Sequence, residues 1–388
     1  MTSPGASARA SAPLPSAVSP APMPDAPEAA PAGSIEPQAE IQRAVAGAFR
    51  VPRMAWLVSL LCLALGLLLS VSVGSSDLGF GQVVGGLLDG LPGVRIDSGL
   101  TSTQESILWQ WRLPRAVLGA LVGAALAMSG AVFQGVFRNP LADPYLLGVA
   151  AGAGLGATLA IVTGARYGWG PFHAVPAAAF LGGLLAVGIA AVLGFGSSRS
   201  AASLLLAGVA VASFFTACQT YVMQRNSEIL NEVYAWILGR LGTFGWSDVG
   251  LLTPYVVVCG LVAVGLARHL DVMQLGDDEA TALGINVTVV RAVLVVIASL
   301  LAAAAVSVSG LIAFVGIIVP HAIRLVVGAS YRVVVPLSAV AGAAFLVLAD
   351  IGARNLVTGA ELPIGVVTAF FGAPFFAVLL WTRRGSWT

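Results

Sequence analysis

The chain has 388 residues, 58% of them hydrophobic and only 10% charged, with a formal net charge of +1. This composition excludes an ordinary water-soluble globular domain and is typical of a membrane protein with several spans. All 19 basic residues are arginine. Because a phosphate-binding loop of the Walker A type requires a lysine, we expect no ATPase site in this chain, so that any ATP hydrolysis takes place on another subunit.

The first 50 residues are rich in Ala, Pro and Ser and contain nine of the 21 prolines. They lack the apolar core that a signal peptide requires. We therefore expect residues 1–50 to be a disordered cytoplasmic tail and residues 51–388 to form a transmembrane domain.

The rest of the chain contains apolar segments that we predict to be membrane spans. They lie near residues 54–73, 114–136, 146–163, 175–194, 203–223, 250–267, 290–309, 317–327, 334–353 and 365–381. The sequence thus predicts an all-α polytopic membrane protein with about ten transmembrane helices and both termini on one side. With the termini in the cytoplasm, eleven of the arginines from Arg43 onward lie inside and seven outside, which is the excess on the cytoplasmic side that the positive-inside rule requires.

A long polar pattern surrounds the second predicted span. It reads W-x-x-R-L-P-R from Trp109 to Arg115, and S-G-A-x-x-Q-x-x-x-x-N-P-L-A-D-P-x-x-L-G from Ser129 to Gly148. About 20 apolar residues between the two ends suffice to cross a bilayer, so the ends face opposite compartments. The pattern resembles the permease subunits of bacterial ABC importers for iron chelates (ferric siderophores, haem) and cobalamin.

This resemblance covers about residues 55–384 and implies a homodimer with the type II ABC importer permease fold. It implies a multi-pass protein of the bacterial inner membrane, surrounded by lipid, with both termini cytoplasmic. Its partners would be a second copy, two cytoplasmic ATPase subunits that bind the ATP, and one periplasmic substrate-binding protein. We expect no cofactor, metal or nucleic acid on this chain. The cargo is expected to be haem or a ferric siderophore, with cobalamin as the alternative, and no residue discriminates among them.

Three arginines are expected at the outer ends of spans. Arg112 and Arg115 belong to the R-L-P-R string, and Arg354 ends the string Ala349-Asp350-Ile351-Gly352-Ala353-Arg354. Arginine presents a planar fork that suits carboxylates, and the resemblance implies that these arginines bind glutamates of the substrate-binding protein. The alternative is that they only anchor the helices at the membrane interface, with Asp350 and Arg354 as an ordinary i, i+4 pair.

The resemblance also implies a translocation path and an inner gate. The loop before the fifth span, which narrows the gate in similar importers, here contains Ser200, Ala201 and Ala202. Gln134 and Asn139 lie where the second span approaches the cytoplasm. The neighbouring spans carry few charges, which suits the passage of a bulky chelate.

A polar stretch from Arg268 to Asn286 interrupts two apolar segments and matches the family segment that docks onto the ATPase. Acidic residues favour the N-terminus of a short helix, the glycines permit turns at its ends, and Ala280, Ala282 and Leu283 give it a small apolar face. The predicted coupling loop spans 268–289, and its contact residues are Leu275, Gly276, Asp277, Asp278, Glu279, Ala280, Leu283 and Gly284. The alternative is a solvated loop, whereas three consecutive carboxylates do not converge on one metal ion.

Two late motifs extend the resemblance. The first runs from Ser309 through Pro320 and His321 to Arg324, and the second is the run E-L-P-I-G that begins at Glu361. Paired glycines and prolines break helices, which a membrane tolerates only against protein or a water-filled cavity. We therefore expect a short, broken eighth helix in which His321 makes a structural hydrogen bond.

Two other classes of protein are disfavoured. An ion-coupled secondary transporter or channel should carry acidic groups near the bilayer midplane, and the only candidate, Asp350, lies near the end of its span. A membrane enzyme would need a nucleophile with a base or a cluster of His, Cys and Asp, and the spans offer none.

Overall fold

Every regular element of the protein is a helix in the described parts of the computed structural model, which are residues 36–74, 79–90, 98–164, 173–197, 201–242, 245–357 and 360–382. The contacts below all belong to residues 47–388. The helices are α1 Glu36–Ser72, α2 Phe80–Asp89, α3 Ser102–Ile107, α4 Leu113–Val136, α5 Val149–Val162, α6 Ala174–Ser197, α7 Ala201–Arg225, α8 Leu230–Ile237, α9 Trp246–Gly265, α10 Ala267–Met273, α11 Asp277–Ala282, α12 Val287–Ser309, α13 Val315–Val327, α14 Tyr331–Asn355 and α15 Ile364–Thr382.

A helix overlaps each of the apolar segments predicted from the sequence. Within the described ranges, seven helices are long and apolar enough to cross a membrane, and three shorter apolar helices accompany them. The protein is therefore an all-helical, multi-pass membrane protein. Of the tail expected over residues 1–50, residues 1–35 lie outside the described ranges, and α1 already begins at Glu36. Ala, Glu, Gln and Arg between residues 36 and 50 favour this earlier helix start.

The centre of the bundle is α4, which packs against α9, α12, α13 and α14. Its small residues allow close approach. At Gly130, a Cβ atom would lie only 1.9 Å from the carbonyl oxygen of Gly316, so the backbones of α4 and α13 nearly touch there. The hydroxyl of Ser129 donates to the carbonyl of Ala298 at 2.7 Å and ties α4 to α12. Because α4 has 24 residues, it separates its two polar ends by about 36 Å.

Helix α13 is short, as expected, because residues 310–314 are not helical. Backbone groups at the helix ends around this break pair with one another. The amide of Arg240 donates to the carbonyl of Ser309 at 2.8 Å, and the amides of Ile364 and Gly365 donate to Gly239 and Leu238 at 3.2 and 3.1 Å. This junction joins the ends of α8 and α12 to the start of α15 and satisfies the polar backbone as a membrane interior requires.

Candidate functional site

One end of the bundle carries a charged cluster centred on Arg115. Its Nε and Nη2 atoms donate to Oδ1 of Asp350 at 3.2 and 3.0 Å. Nη1 and Nη2 donate to the two carboxylate oxygens of Glu361 at 3.2 and 3.0 Å. Arg115 thus holds two carboxylates at once, one from α14 and one from the segment before α15. These forked, charge-assisted contacts are the strong form of the hydrogen bond.

The other two arginines of this end fasten α1. Nη1 of Arg112 donates to the carbonyls of Val71 and Ser72 at 2.8 and 2.9 Å. Nη2 of Arg354 donates to the carbonyl and the hydroxyl of Ser70 at 3.1 and 2.9 Å. The last carbonyls of a helix have no partner within it, so the two guanidinium groups cap the C-terminal end of α1.

The three arginines therefore differ in accessibility. Arg112 is buried, and the side chain of Arg354 is largely buried, with its Nε 3.0 Å from Oδ2 of Asp350 as an ion pair without hydrogen-bond alignment. The side chain of Arg115 is 21% exposed, and its partner Glu361 is 62% exposed. Arg115 is therefore the most accessible of the three arginines, although all three have partners within the chain.

The opposite end of α4 carries a second charged cluster centred on Asp277. Nη2 of Arg291 lies 2.9 and 2.8 Å from the two oxygens of its carboxylate, and Arg138 pairs with the same group. Burial alone would raise the pKa of Asp277, but the guanidinium groups of Arg291 and Arg138 outweigh burial and lower that pKa below its ordinary value of 3.8. The carboxylate stays ionised and fixes α11 to α12 and to the loop after α4.

Helix α11 has an inner and an outer face. Ala280 is completely buried against Met273 and Val287 of the same chain, so it contributes nothing to an outward surface. Leu275 and Leu283 are 65% and 64% exposed. The predicted apolar face of Ala280, Ala282 and Leu283 is thus wrong in one member, because a six-residue helix has too few turns for the sequence to reveal which side packs inward.

The other predicted coupling residues surround this outer face. Asp278, Glu279 and Gly284 are exposed, and Gly276 has φ of 145°, a conformation that other residues rarely adopt. The helix therefore presents two carboxylates to the surroundings, and the leucines that flank it are exposed as well.

Of the residues predicted to line the path, Gln134 is buried, with 1% of its surface exposed. Its Nε2 donates to the carbonyls of Gly316 and Ile317 at 3.1 and 3.3 Å, and its Oε1 accepts from Arg324. It joins α4 to α13 and is not open to a path within one chain. His321 is likewise buried in α13.

The remaining path residues lie in loops or at a helix start. Asn139 folds back on its own loop, where its Oδ1 accepts the amide of Leu141 at 2.9 Å. Ala201 and Ala202 begin α7, and Ser200 lies outside the described residues.

Two polar residues of the loop after α4 were not assigned a role from the sequence. The hydroxyl of Tyr145 donates to the carbonyl of Ile312 at 2.9 Å and accepts its amide at 3.3 Å, which connects this loop to the break before α13. Burial raises the pKa of Asp143 to about 6, although its carboxylate accepts the amide of Tyr145. The N-P-L-A-D-P string contains Asp143 and ends just before Tyr145, but it could not reveal the distant partner of Tyr145. Glu361 was noted only as part of a motif.

A cavity of about 230 Å³ lies between α5, α6, α8, α9 and α12. Its polar lining includes His173, Glu232, Arg240 and Asp248. This volume is below the roughly 300–1,000 Å³ of typical small-molecule sites, so it does not accommodate a bulky chelate.

Comparisons with known proteins identify relatives among transport permeases. The model of the FecCD transport family matches residues 62–382. The cobalamin import system permease protein BtuC of Halobacterium salinarum is 44% identical over 287 residues, which are 74% of this chain and 76% of that protein. The hemin transport system permease protein HmuU of Yersinia pestis is 38% identical over 298 residues, 73% and 86% of the two chains. A solved metal-chelate type ABC transporter in an inward-facing conformation has a TM-score of 0.72 at 30% identity and covers 84% of this chain and 98% of its own.

Proposed function

The chain belongs to the FecCD transport family, and on that premise we propose how this ABC importer permease for iron chelates or cobalamin is assembled and which residues couple it to its partners. The proposed assembly is a homodimer with ten crossings per chain in the bacterial inner membrane and both termini in the cytoplasm. Two ATPase subunits bind inside and one substrate-binding protein docks outside. The chelate passes inward between the two copies by alternating access.

The size of the cavities found among the described residues supports a path between two copies. Their volumes, about 230 and 190 Å³, are too small for a chelate of the proposed kind. A route between two copies removes this constraint, because its width depends on how the copies separate. Mass measurement of the complex in nanodiscs is expected to give two permease chains, two ATPase subunits and one binding protein, and a single permease chain per complex would contradict the dimer.

The observation that carries the coupling role is the outward face of α11. Leu275 and Leu283 are large, exposed apolar side chains that flank α11, a helix whose own exposed residues include carboxylates. Exposed apolar groups rimmed by polar ones are typical of a binding surface for another protein. We assign this face to a groove of the ATPase subunit.

A pair of variants tests this assignment. Leu283→Asp is expected to release the ATPase during co-purification. The thermal stability of the permease should be retained, because the side chain of Leu283 is exposed. Ala280→Leu is the matched control for a buried position. Overfilling this site is expected to lower the stability of the permease by about 1–3 kcal/mol. If Leu283→Asp retains the ATPase with unchanged affinity, the outward face of α11 is not the coupling surface.

For docking of the binding protein, Arg115 is the proposed contact, whereas Arg112 and Arg354 hold the end of α1. Arg115→Glu is expected to weaken binding of the substrate-binding protein at low salt by at least tenfold, because breaking a desolvated charge pair costs about 2 to 5 kcal/mol. Reversal of a facing glutamate on the binding protein should restore part of the loss. Arg225→Glu, at the exposed end of α7, is the control and is expected to leave the affinity unchanged.

The proposed cargo is haem or a ferric siderophore, and cobalamin is the second candidate because a relative named for cobalamin import is 44% identical. Competition decides among them. Uptake of labelled haem into proteoliposomes containing the complete complex is expected to be saturable and insensitive to excess cobalamin. Inhibition of uptake by cobalamin, and not by haem or a ferric hydroxamate, would make cobalamin the cargo.

A further inference from the structure

We infer that Glu361 is an internal placeholder for the acidic group of the docking partner, so that docking exchanges one carboxylate on Arg115 for another. This inference rests on the proposed docking role of Arg115. It adds that the docking site is occupied by the protein's own carboxylate before the partner arrives.

The two carboxylates on Arg115 differ sharply in burial. Asp350 has 3% of its side chain exposed, and Glu361 has 62%. Asp350 also lies beside Arg354, with a separation of 3.0 Å between Oδ2 and Nε. Asp350 is therefore a fixed support beneath Arg115, whereas Glu361 lies on the solvent side, where a partner approaches.

Glu361 also occupies the two donor groups of Arg115 that an incoming carboxylate would bind. Nη1 and Nη2 of Arg115 reach its two oxygens at 3.2 and 3.0 Å, which is the forked arrangement of guanidinium and carboxylate. Nε is directed to Asp350, and Nη2 is shared between Asp350 and Glu361. A carboxylate of a soluble protein binds to this fork only after Glu361 has left it.

The charges around Arg115 point to exchange. Its single guanidinium already faces two carboxylates, those of Asp350 and Glu361, and Arg354 and Arg112 are the other cations of this end. A third carboxylate on the fork of Arg115 would lie beside that of Glu361 and would repel it. Release of Glu361 to water removes this repulsion.

Release of Glu361 from Arg115 can affect the membrane domain, because the residues after Glu361 contact two of its helices. Glu361 is followed by Leu362, whose amide donates to the carbonyl of Ala353 at 2.9 Å, and then by the junction at which Ile364 and Gly365 bind the carbonyls of Gly239 and Leu238. The segment that leaves Arg115 is thus the one that starts α15 and holds the end of α8. Docking at the rim would loosen the restraint on both helices.

The test is a double-mutant cycle on the complete complex in nanodiscs, with the affinity of the substrate-binding protein measured at low salt. Glu361→Gln keeps the size of the side chain and removes its charge, so the affinity is expected to rise about two- to fivefold, the range of an exposed ion pair. Glu228→Gln, another exposed glutamate after α7, controls for general electrostatic repulsion and should change nothing. In an Arg115→Gln background, Glu361→Gln should lose its effect.

The outcomes separate this inference from the docking role. If Arg115→Gln weakens binding while Glu361→Gln leaves it unchanged or weaker, the docking role stands and the placeholder role is wrong. If Arg115→Gln has no effect on binding, the docking role fails and the placeholder role fails with it. An equal rise in affinity for Glu361→Gln and Glu228→Gln also overturns the placeholder, because it would reveal a long-range charge effect.

Discussion

Nη2 of Arg291 lies 2.9 Å from Oδ1 and 2.8 Å from Oδ2 of Asp277, and this contact fixes the start of α11 to α12. Arg138, just beyond α4, pairs with the same carboxylate. A helix of six residues is not stable alone, so its position depends on such contacts. The orientation of the outward leucines therefore follows from one ionised side chain.

Replacement of that carboxylate is expected to loosen α11. Asp277→Asn leaves both arginines without their counter-charge, and tryptic cleavage after the exposed Arg268 should accelerate about fivefold, which corresponds to about 1 kcal/mol of local stability. Asp278→Asn, at the neighbouring exposed carboxylate, is the control and should leave the cleavage rate unchanged. Equal rates for the two variants would show that Asp277 does not hold the helix.

The pH dependence of this anchor follows from its lowered pKa. A carboxylate with a folded-state pKa below 3.8 stabilises the fold at every pH above that value and loses the effect as the pH falls through the folded-state pKa. The difference in melting temperature between the native protein and Asp277→Asn should therefore be constant from about pH 8 to pH 5 and shrink below about pH 4. A difference that already disappears near pH 6 would contradict the ionised state assigned to Asp277.

Asp143 should show the opposite dependence. Burial raises its pKa from 3.8 to about 6, so the unfolded chain ionises first as the pH rises and the native protein loses stability between about pH 4 and pH 6. Asn retains an oxygen for the amide of Tyr145 and does not ionise. Asp143→Asn is expected to be more stable than the native protein at pH 8 by about 1–3 kcal/mol, and equally stable at pH 4. A stability gap that does not change with pH would exclude a raised pKa.

The contact between α4 and α13 predicts a severe effect of one added methyl group. In Gly130→Ala the new Cβ would lie 1.9 Å from the carbonyl oxygen of Gly316, so the backbones must separate, at a cost of about 3 kcal/mol. Gly188→Ala on α6 is the matched control, because nothing lies within 4 Å of its Cβ position. The control should melt at the same temperature or higher, and a similar melting temperature for Gly130→Ala would mean that the two backbones are not in contact.

Substitutions at Arg112 and Arg115 should affect different properties of the protein. Arg112→Gln removes charge-assisted bonds to the carbonyls of Val71 and Ser72 and is expected to lower permease stability by about 2–3 kcal/mol. Folded Arg112→Gln protein should bind the substrate-binding protein nearly as well as the native protein. A large loss of binding with unchanged stability would place Arg112 in direct contact with the partner.

The sequence predicts contacts between residues that are close along the chain better than contacts between residues that are far apart in it. The apolar segments and the loop around Asp277 were predictable, because their signals are local. The pairing of Arg115 with Glu361 was not, since 246 residues separate them and only the packing of α4, α14 and α15 brings them together. Arg112 and Arg115 are three residues apart with the same chemistry, and only the position of α1 decides which of them is buried. The burial of Ala280 depends in the same way on Met273 and Val287.

The most direct test of the account is ATP hydrolysis in nanodiscs that contain the chain alone, the chain with its ATPase subunits, and the full assembly with loaded binding protein. We expect no hydrolysis by the chain alone, because it has no lysine for a phosphate-binding loop. Hydrolysis should appear with the ATPase subunits, increase with loaded binding protein, and lose this increase in Arg115→Glu. ATP turnover by the isolated chain, or chelate uptake driven by an ion gradient without ATP, would contradict the account.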